Sequence, residues 1–473
     1  MKIEQIYTGC ISHAAYYLED QGEVAIFDPL REVQPYIIKA EKDKAKIKYV
    51  FETHFHADFV SGHVDLAKKT GAEIVFGPTT TQTGFRITVA QDGQEFKVGR
   101  VSVKVLHTPG HTMESSCYLI RDEHGKDHSL ISGDTLFIGD VGRPDLAQHV
   151  SSDLTQDKLA GLLYDSLHNK IMPLSDDLII YPNHGAGSAC GKNMSKETSD
   201  TLGNQKKVNY ALNPLLSKEQ FIREILTGLV APPGYFPQNV LLNIRGYESL
   251  DSVMKRSHKA LSALEFEVIA NETGALVIDT RSAQDFSKAF IPNSINIGID
   301  GNFATWVGTL IPDVKQEILI VADEGREHEV ITRLARVGFD RCLGYLKGGI
   351  ATWLIEGKET DTIFSVNAQK LSIALKTENT PILDVRRASE YNSEHVIDAI
   401  NAPLDFINDS MLKVDRNKKY FVHCAGGYRS MTFISILQSR GYRNLVDVKG
   451  GFKEMKESGL FKLSQYVKPT SML

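Results

Sequence analysis

Thr53-His54-Phe55-His56-Ala57-Asp58-Phe59 follows directly on the apolar, strand-like run Tyr49–Glu52 and sets three metal-capable side chains, His54, His56 and Asp58, on one turn. A loop tethered to a buried strand holds such groups in fixed relation, which is why ligating residues concentrate there. The surrounding sequence repeats the arrangement. Short β-branched or aromatic runs (Val24–Phe27, Val101–Leu106, Ser129–Ser132, Leu178–Tyr181) alternate with helical stretches at Val60–Thr70 and Leu154–Leu167, an α/β pattern. Three further ligand-capable residues close strands: His111 in Thr-Pro-Gly-His, Asp134 in Ser-Gly-Asp-Thr and His184 in Tyr-Pro-Asn-His-Gly. Neutral imidazole together with carboxylate suits zinc or non-haem iron.

The order and contexts of these residues resemble the metallo-β-lactamase superfamily, and within it the glyoxalase II and persulfide dioxygenase branch, over about residues 1–230. The resemblance implies an αββα fold. In that family the signature H-x-H-x-D-H supplies ligands to two sites, its last Asp-His pair joining a distal histidine in the second. Here the sixth position is Phe59, which puts a phenyl ring where the second site needs a nitrogen, so one metal per chain is expected. Persulfide dioxygenases, by the same resemblance, hold one Fe(II) in the first site, which maps onto His54, His111 and Asp134, two histidines and a carboxylate with positions left open. His56, Asp58 and His184 then stand behind the ligands, orienting them and binding water. Arg143, in Gly-Asp-Val-Gly-Arg-Pro-Asp, is expected to fix loop geometry, pair with an acid or touch substrate. Cys190, six residues after His184, faces the metal if His184 does. It is read either as a packing residue or as a catalytic, sulfur-handling one. His63 reads as a helix-face residue, and Cys10, Cys117 and Cys342 as packing.

The second half repeats itself. Asp279-Thr280-Arg281 returns as Asp384-Val385-Arg386 and Ile295-Asn296 as Ile400-Asn401, both 105 residues on, while Gly338-Phe339 returns as Gly441-Tyr442 and Gly348-Gly349 as Gly450-Gly451 after 103 and 102. That spacing is too long for a solenoid and indicates two domains of about a hundred residues, each with a parallel sheet and flanking helices. In the second copy Tyr420–His423 reads as a buried strand ending in Cys424-Ala425-Gly426-Gly427-Tyr428-Arg429-Ser430, ahead of a helix expected over Met431–Ser439. Backbone N–H groups and the positive end of a helix favour a thiolate there, and Arg429 is expected to receive an anionic sulfur donor or acceptor such as sulfite. The loop is similar to the rhodanese active loop. Its six residues from Cys424 to Arg429 match sulfurtransferases, whereas related phosphatases use a longer one. In the first copy Asp323 aligns with Cys424, in Asp-Glu-Gly-Arg-Glu-His-Glu. A carboxylate cannot carry a persulfide, so that copy is expected to be non-catalytic and to position its neighbours.

Composition fits this reading. The 473 residues are 42% hydrophobic and 24% charged with net charge −6, which suits about three globular domains and offers no basic stripe for nucleic acid or anionic membrane. No run approaches the ~20 apolar residues of a membrane-spanning helix. Five cysteines without a C-x-x-C pair, and a beginning that lacks signal or transit character, predict a reducing, cytoplasmic setting. The expected division is 1–235, 236–362 and 363–473, with a linker at Ala231–Pro237. Together these readings predict an iron-dependent persulfide dioxygenase coupled to sulfurtransfer. Its expected partners are a thiol persulfide carried by glutathione, coenzyme A or a similar thiol, O2, and sulfite or thiosulfate, and it is expected to assemble as a homodimer or homotetramer. The rivals are a glyoxalase II-like zinc thioester hydrolase fused to a sulfurtransferase, and a non-enzymatic sulfur-carrier scaffold.

Overall fold

The computed structural model describes residues 1–146, 154–192 and 194–468. Strands Lys2–Thr8, His13–Asp20, Glu23–Phe27, Lys46–Glu52, Glu73–Phe76 and Thr88–Val89 lie side by side in that order, the first three antiparallel and the rest parallel. A second six-stranded sheet runs Asp200–Thr201, Ile179–Pro182, Asp127–Gly133, Ser116–Arg121, Val101–His107, Glu95–Val98. Strand alternation makes the layers. Ala25 and Phe27 join Val103, Val105 and Tyr118 between the sheets, while Val24 and Ile26 meet Tyr36 and Leu66 of the helices Gln34–Lys42 and His63–Thr70. The far face of the second sheet, with Leu119, Leu130 and Ile180, is covered by Ala160, Leu163 and Phe221 from helices Gln156–Ser166 and Lys218–Leu226. Each such burial contributes about 1.5–3 kcal/mol, so a one-residue slip that turned Phe27 outward is strongly disfavoured. The expected αββα fold is present.

Two local differences from the sequence reading bear on the site. The helix expected from Val60 starts at His63, because Ser61 pairs with Leu30 and its hydroxyl donates to Glu52. The prolines at Ala231–Pro237 do not close the unit. Phe236–Arg245 is a helix with Pro237 in its first turn, where a missing N–H costs nothing, and the N-terminal compact unit takes in Met1–Leu250. Asn243 on that helix donates to the carbonyls of His56 and Phe59, at 2.8 Å each, and so holds the histidine turn from behind.

The second unit contains two five-stranded parallel sheets of identical order: Ala260–Leu261, Cys342–Leu346, Ile318–Val321, Leu276–Asp279, Ile295–Asn296, and Ser365–Val366, Leu445–Val448, Tyr420–His423, Ile382–Asp384, Ile400–Asn401. The repeated residues build the same joint twice. Arg281 chelates Asp279 and Arg386 chelates Asp384, while Asn296 donates to the carbonyls of Asp279 and Arg281 and Asn401 to those of Asp384 and Arg386. Each asparagine thus ties the edge strand to the turn after its neighbour, a buried network that survives only when every member is satisfied.

Candidate metal centre and sulfurtransfer loop

The strands Lys46–Glu52, Val101–His107, Asp127–Gly133 and Ile179–Pro182 each end in a loop that supplies a ligand-capable residue, and these loops converge. Gly133 takes a positive φ of 54° and touches Thr53, whose Cβ would lie 2.7 Å from an added Cβ; only glycine lets Asp134 approach the histidine turn this closely. Asp134 Oδ2 lies 3.4 Å from His111 Nε2 and 3.9 Å from His54 Nε2. His111 Nδ1–H donates to the Arg143 carbonyl at 2.8 Å, which leaves its Nε2 lone pair facing inward, and His54 Nδ1 pairs with the Thr53 hydroxyl at 3.0 Å. Burial, then the neighbouring imidazoles, hold His54 well below its ordinary value, in the neutral form that ligates metal. Both Asp134 oxygens are buried without a hydrogen-bond partner. An isolated buried carboxylate is costly, and a bound cation is the usual remedy. The donor set His54, His111 and Asp134, whose ligand atoms lie within 4.8 Å of one another, fits a metal ion.

Beside it Asp58, His184 and Cys190 bring donor atoms within the same 4.8 Å. His184 Nδ1–H donates to the Ser12 carbonyl at 3.0 Å, and its unpartnered Nε2 sits 3.5 Å from both Asp58 Oδ2 and Asp134 Oδ1. Burial, then the Asp58 and Asp134 carboxylates, push the Cys190 thiol well above its ordinary value. Phe59 is fully buried, with its ring against those of His13 and His56 at 4.3 and 4.4 Å, so carbon fills that corner. His56 turns elsewhere: its Nε2 is 2.9 Å from Asp28 Oδ1 and 3.4 Å from Glu52 Oε2. Burial opposes a charge on that ring, but the two carboxylates outweigh it and hold His56 well above its ordinary value, while burial lifts Glu52 to about 7. Asp28, Glu52, His13 and Asn183 were not among the residues singled out from sequence. Asp28 closes the strand Glu23–Phe27 in Phe-Asp-Pro, the same strand-end signal that marked the histidines. Arg143 is buried and chelates Asp145 at 2.6 Å, with its N–H on the Cys190 carbonyl and its carbonyl on His111. Among the roles open to it, the geometry gives loop fixing and acid pairing. His63 is buried on its helix, its ring 4.9 Å from that of Phe85.

A cavity of about 40 Å³ opens beside His111, lined by Phe55, Ala57, Thr112, Val240 and Ile244, and it shares Thr81 and Glu114 with a surface groove of about 950 Å³.

In the second unit Cys424 ends the strand Tyr420–His423, and the helix after it runs Tyr428–Ser439, three residues earlier than expected. Gly427, with φ of 101°, turns its N–H onto the Cys424 sulfur at 3.1 Å, and Ser430 bridges from that sulfur (3.7 Å) to Asp447 (2.8 Å). Ala425 and Gly426 are exposed and give access to the loop. Arg429 has an acidic partner that the sequence reading did not name: its terminal nitrogens bind both oxygens of Glu390, at 2.5 and 2.8 Å. In the first copy Arg326 is held by Glu329 and Asp300 at 2.9 and 2.7 Å, and Cys342 lies on a buried strand where burial pushes its thiol up to about 12. Asp323→Cys, combined with Cys424→Ser, is therefore expected to show no thiosulfate:cyanide turnover, because Glu324, Glu327 and Glu329 still disfavour a thiolate and an anionic donor. Measurable turnover in that double variant counts against a non-catalytic first copy.

The fold and the donor set define a metal-binding αββα domain followed by two rhodanese-like α/β domains, of which the second carries a strand-end cysteine. Comparison with known proteins gives the family. The model of the metallo-beta-lactamase superfamily matches residues 8–180, and that of the rhodanese-like domain matches 262–356 and 367–458. A solved metallo-beta-lactamase from Staphylococcus aureus subsp. aureus COL is 31% identical, with a TM-score of 0.64 over 73% of this chain and 98% of that one. Two hydroxyacylglutathione hydrolases of Schizosaccharomyces pombe, both named as probable, are 28% identical over 47% of this chain and 80% of that protein, and 32% identical over 38% and 66%. The chain belongs to the metallo-beta-lactamase superfamily and carries two rhodanese-like domains after the metal-binding fold. That fold implies a metal ion. Among the described residues no helix is long and apolar enough to cross a membrane.

Proposed function

We propose that the protein is a non-haem Fe(II) persulfide dioxygenase coupled to a sulfurtransferase, a role in sulfide detoxification. The first domain converts R–S–S⁻, O2 and water into R–SH, sulfite and a proton. The last domain moves sulfane sulfur through Cys424, joining it to sulfite as thiosulfate. The observation that carries the reading is that one complete set of two histidines and a carboxylate stands beside a corner filled by Phe59, in a chain that also holds a strand-end thiol on a sulfurtransferase-length loop. When bound at His54, His111 and Asp134, iron would supply open positions for a sulfur ligand and oxygen. The protein's part is to fix the orientation of both imidazoles through the Arg143 carbonyl and the Thr53 hydroxyl and to line the approach with the apolar side chains of Phe55, Val240 and Ile244. The outer groove has room for the thiol that carries the persulfide. Asp58, His184 and Cys190 cluster beside Asp134, where burial and the two carboxylates push the Cys190 thiol well above its ordinary value; in this reading Cys190 is a second thiol able to handle sulfur.

A second reading has support in the names of the Schizosaccharomyces pombe relatives: a zinc thioester hydrolase of the glyoxalase II kind. Asp58 and His184 persist in both readings, so metal content and turnover decide between them. The purified full chain is expected to hold about one iron in the first domain and to consume O2 with low-molecular-weight persulfides. Two tightly bound zinc ions with thioesterase activity and no oxygen uptake would establish the hydrolase instead.

A further inference from the structure

The sulfurtransfer loop is held from outside its own domain. Tyr428, the residue after Gly427, donates its hydroxyl to the carbonyl of Gly298 in the first rhodanese-like domain at 2.7 Å, and its ring lies over Gly298 and Gly301. An added Cβ would come 2.5 Å from that ring at Gly301 and 3.2 Å at Gly298. Neither glycine has a positive φ, so space and not backbone freedom is what requires them. Two further bonds fix the same helix: the Asn296 N–H donates to Ser435 Oγ at 2.9 Å, and Gln438 donates to Asp361 at 2.7 Å. Asp361 in turn pairs its backbone with Phe290 of the first copy. The helix after Cys424 is thus anchored at its first turn, middle and last turn by the copy that has Asp323 where Cys424 stands and by the segment leading out of it.

The first of these contacts matters for chemistry. The Gly427 N–H reaches the Cys424 sulfur at 3.1 Å only because Gly427 holds its left-handed conformation, and the next side chain along is the clamped tyrosine. We propose that the non-catalytic rhodanese-like domain is a positioning domain: its Gly298–Gly301 turn seats Tyr428 and thereby aims the Gly427 N–H at the sulfur of Cys424. Tyr428 and Gly301 are positioning residues in this assignment, which rests on the sulfurtransferase half of the proposed function.

The test is thiosulfate:cyanide sulfur transfer by the full-length protein as a function of pH. Gly301→Val, which leaves no room for the ring, is expected to lower kcat/KM about tenfold, the effect of losing one charge-assisted hydrogen bond, and to move the acid limb of the profile to higher pH, since the thiolate loses a donor. Tyr428→Phe is expected to shift both in the same direction by about threefold in rate. Glu324→Gln, on the exposed loop of the same domain, is expected to match wild type. Wild-type rates and profiles in both clamp variants overturn the proposal, as does a loss of rate with an unmoved profile. A defect in Tyr428→Phe alone also overturns it, because the tyrosine then acts without its seat. If Gly301→Val does not fold, Tyr428→Phe with its shifted or unshifted profile decides. Absence of sulfur transfer in the wild type would refute the sulfurtransferase reading itself, a result separable from failure of the clamp.

Discussion

His111→Ala and Asp134→Ala are each expected to cut persulfide-dependent oxygen uptake by at least about a hundredfold, since groups that merely orient a ligand already cost ten- to a hundredfold when removed. Sulfur transfer from thiosulfate to cyanide is expected to stay near the wild-type rate, because Cys424 lies in the other compact unit. The two lesions act differently. His111→Ala removes an imidazole whose tautomer is fixed by the Arg143 carbonyl and leaves that carbonyl without its partner. Asp134→Ala removes a carboxylate that has no hydrogen-bond partner at either oxygen, so in metal-free protein it relieves an uncompensated buried group. Added Fe(II) is then expected to raise Tm for wild type and not for Asp134→Ala, as mass action on a native-state site requires. Oxygen-electrode rates, cyanide-dependent turnover and thermal unfolding with and without metal check these outcomes. Loss of both activities in a folded variant would contradict separate sites.

The fold was legible wherever a residue's type restricts what its neighbours can be. His54, His111, Asp134 and His184 close four strands, and strands pinned by a two-sided core deliver their ends to one place, so a spacing pattern sufficed to bring those side chains together. The duplication was legible because Asp-x-Arg and the later Asn are bonded to each other in each copy and cannot drift independently. Partners that answer to no spacing rule stayed hidden. Asn243, which holds the His56 turn, lies nearly two hundred residues away on a helix masked by prolines that normally signal a break. Glu390, 39 residues before Arg429, answers to no such spacing either, and its side chain binds the guanidinium. Burial works against the Glu390 charge, yet the arginine holds its carboxyl below the ordinary range, so the pair remains an ion pair at neutral pH.

The contacts around the sulfur shape what is expected of Cys424→Ser. In the loop the Gly427 N–H donates to the sulfur, while the Ser430 hydroxyl accepts from the thiol and gives its own hydrogen to Asp447, so the loop is built around a sulfur nucleophile. A serine hydroxyl stays protonated near neutral pH and cannot form the covalent persulfide, so thiosulfate:cyanide turnover is expected to fall by at least about a thousandfold. Oxygen uptake with persulfide is expected to stay close to the wild-type rate, because no described ligand of the candidate metal centre is altered. The product then changes. In the proposed function, sulfite made in the first domain meets sulfane sulfur carried on Cys424: the Cys–S–S⁻ bond breaks, the outer sulfur passes to sulfite as thiosulfate, and the Cys424 thiolate is restored. Without that carrier the sulfite leaves as sulfite. Sulfite also reacts with persulfide in free solution, so the comparison is made at early times and low persulfide, with both anions separated chromatographically and oxygen recorded in parallel. The early thiosulfate-to-sulfite ratio is expected to drop several-fold at an unchanged oxygen rate. An unchanged ratio would mean that sulfite captures sulfur away from Cys424, and Cys190, beside Asp58 and His184, would then be the thiol to replace next.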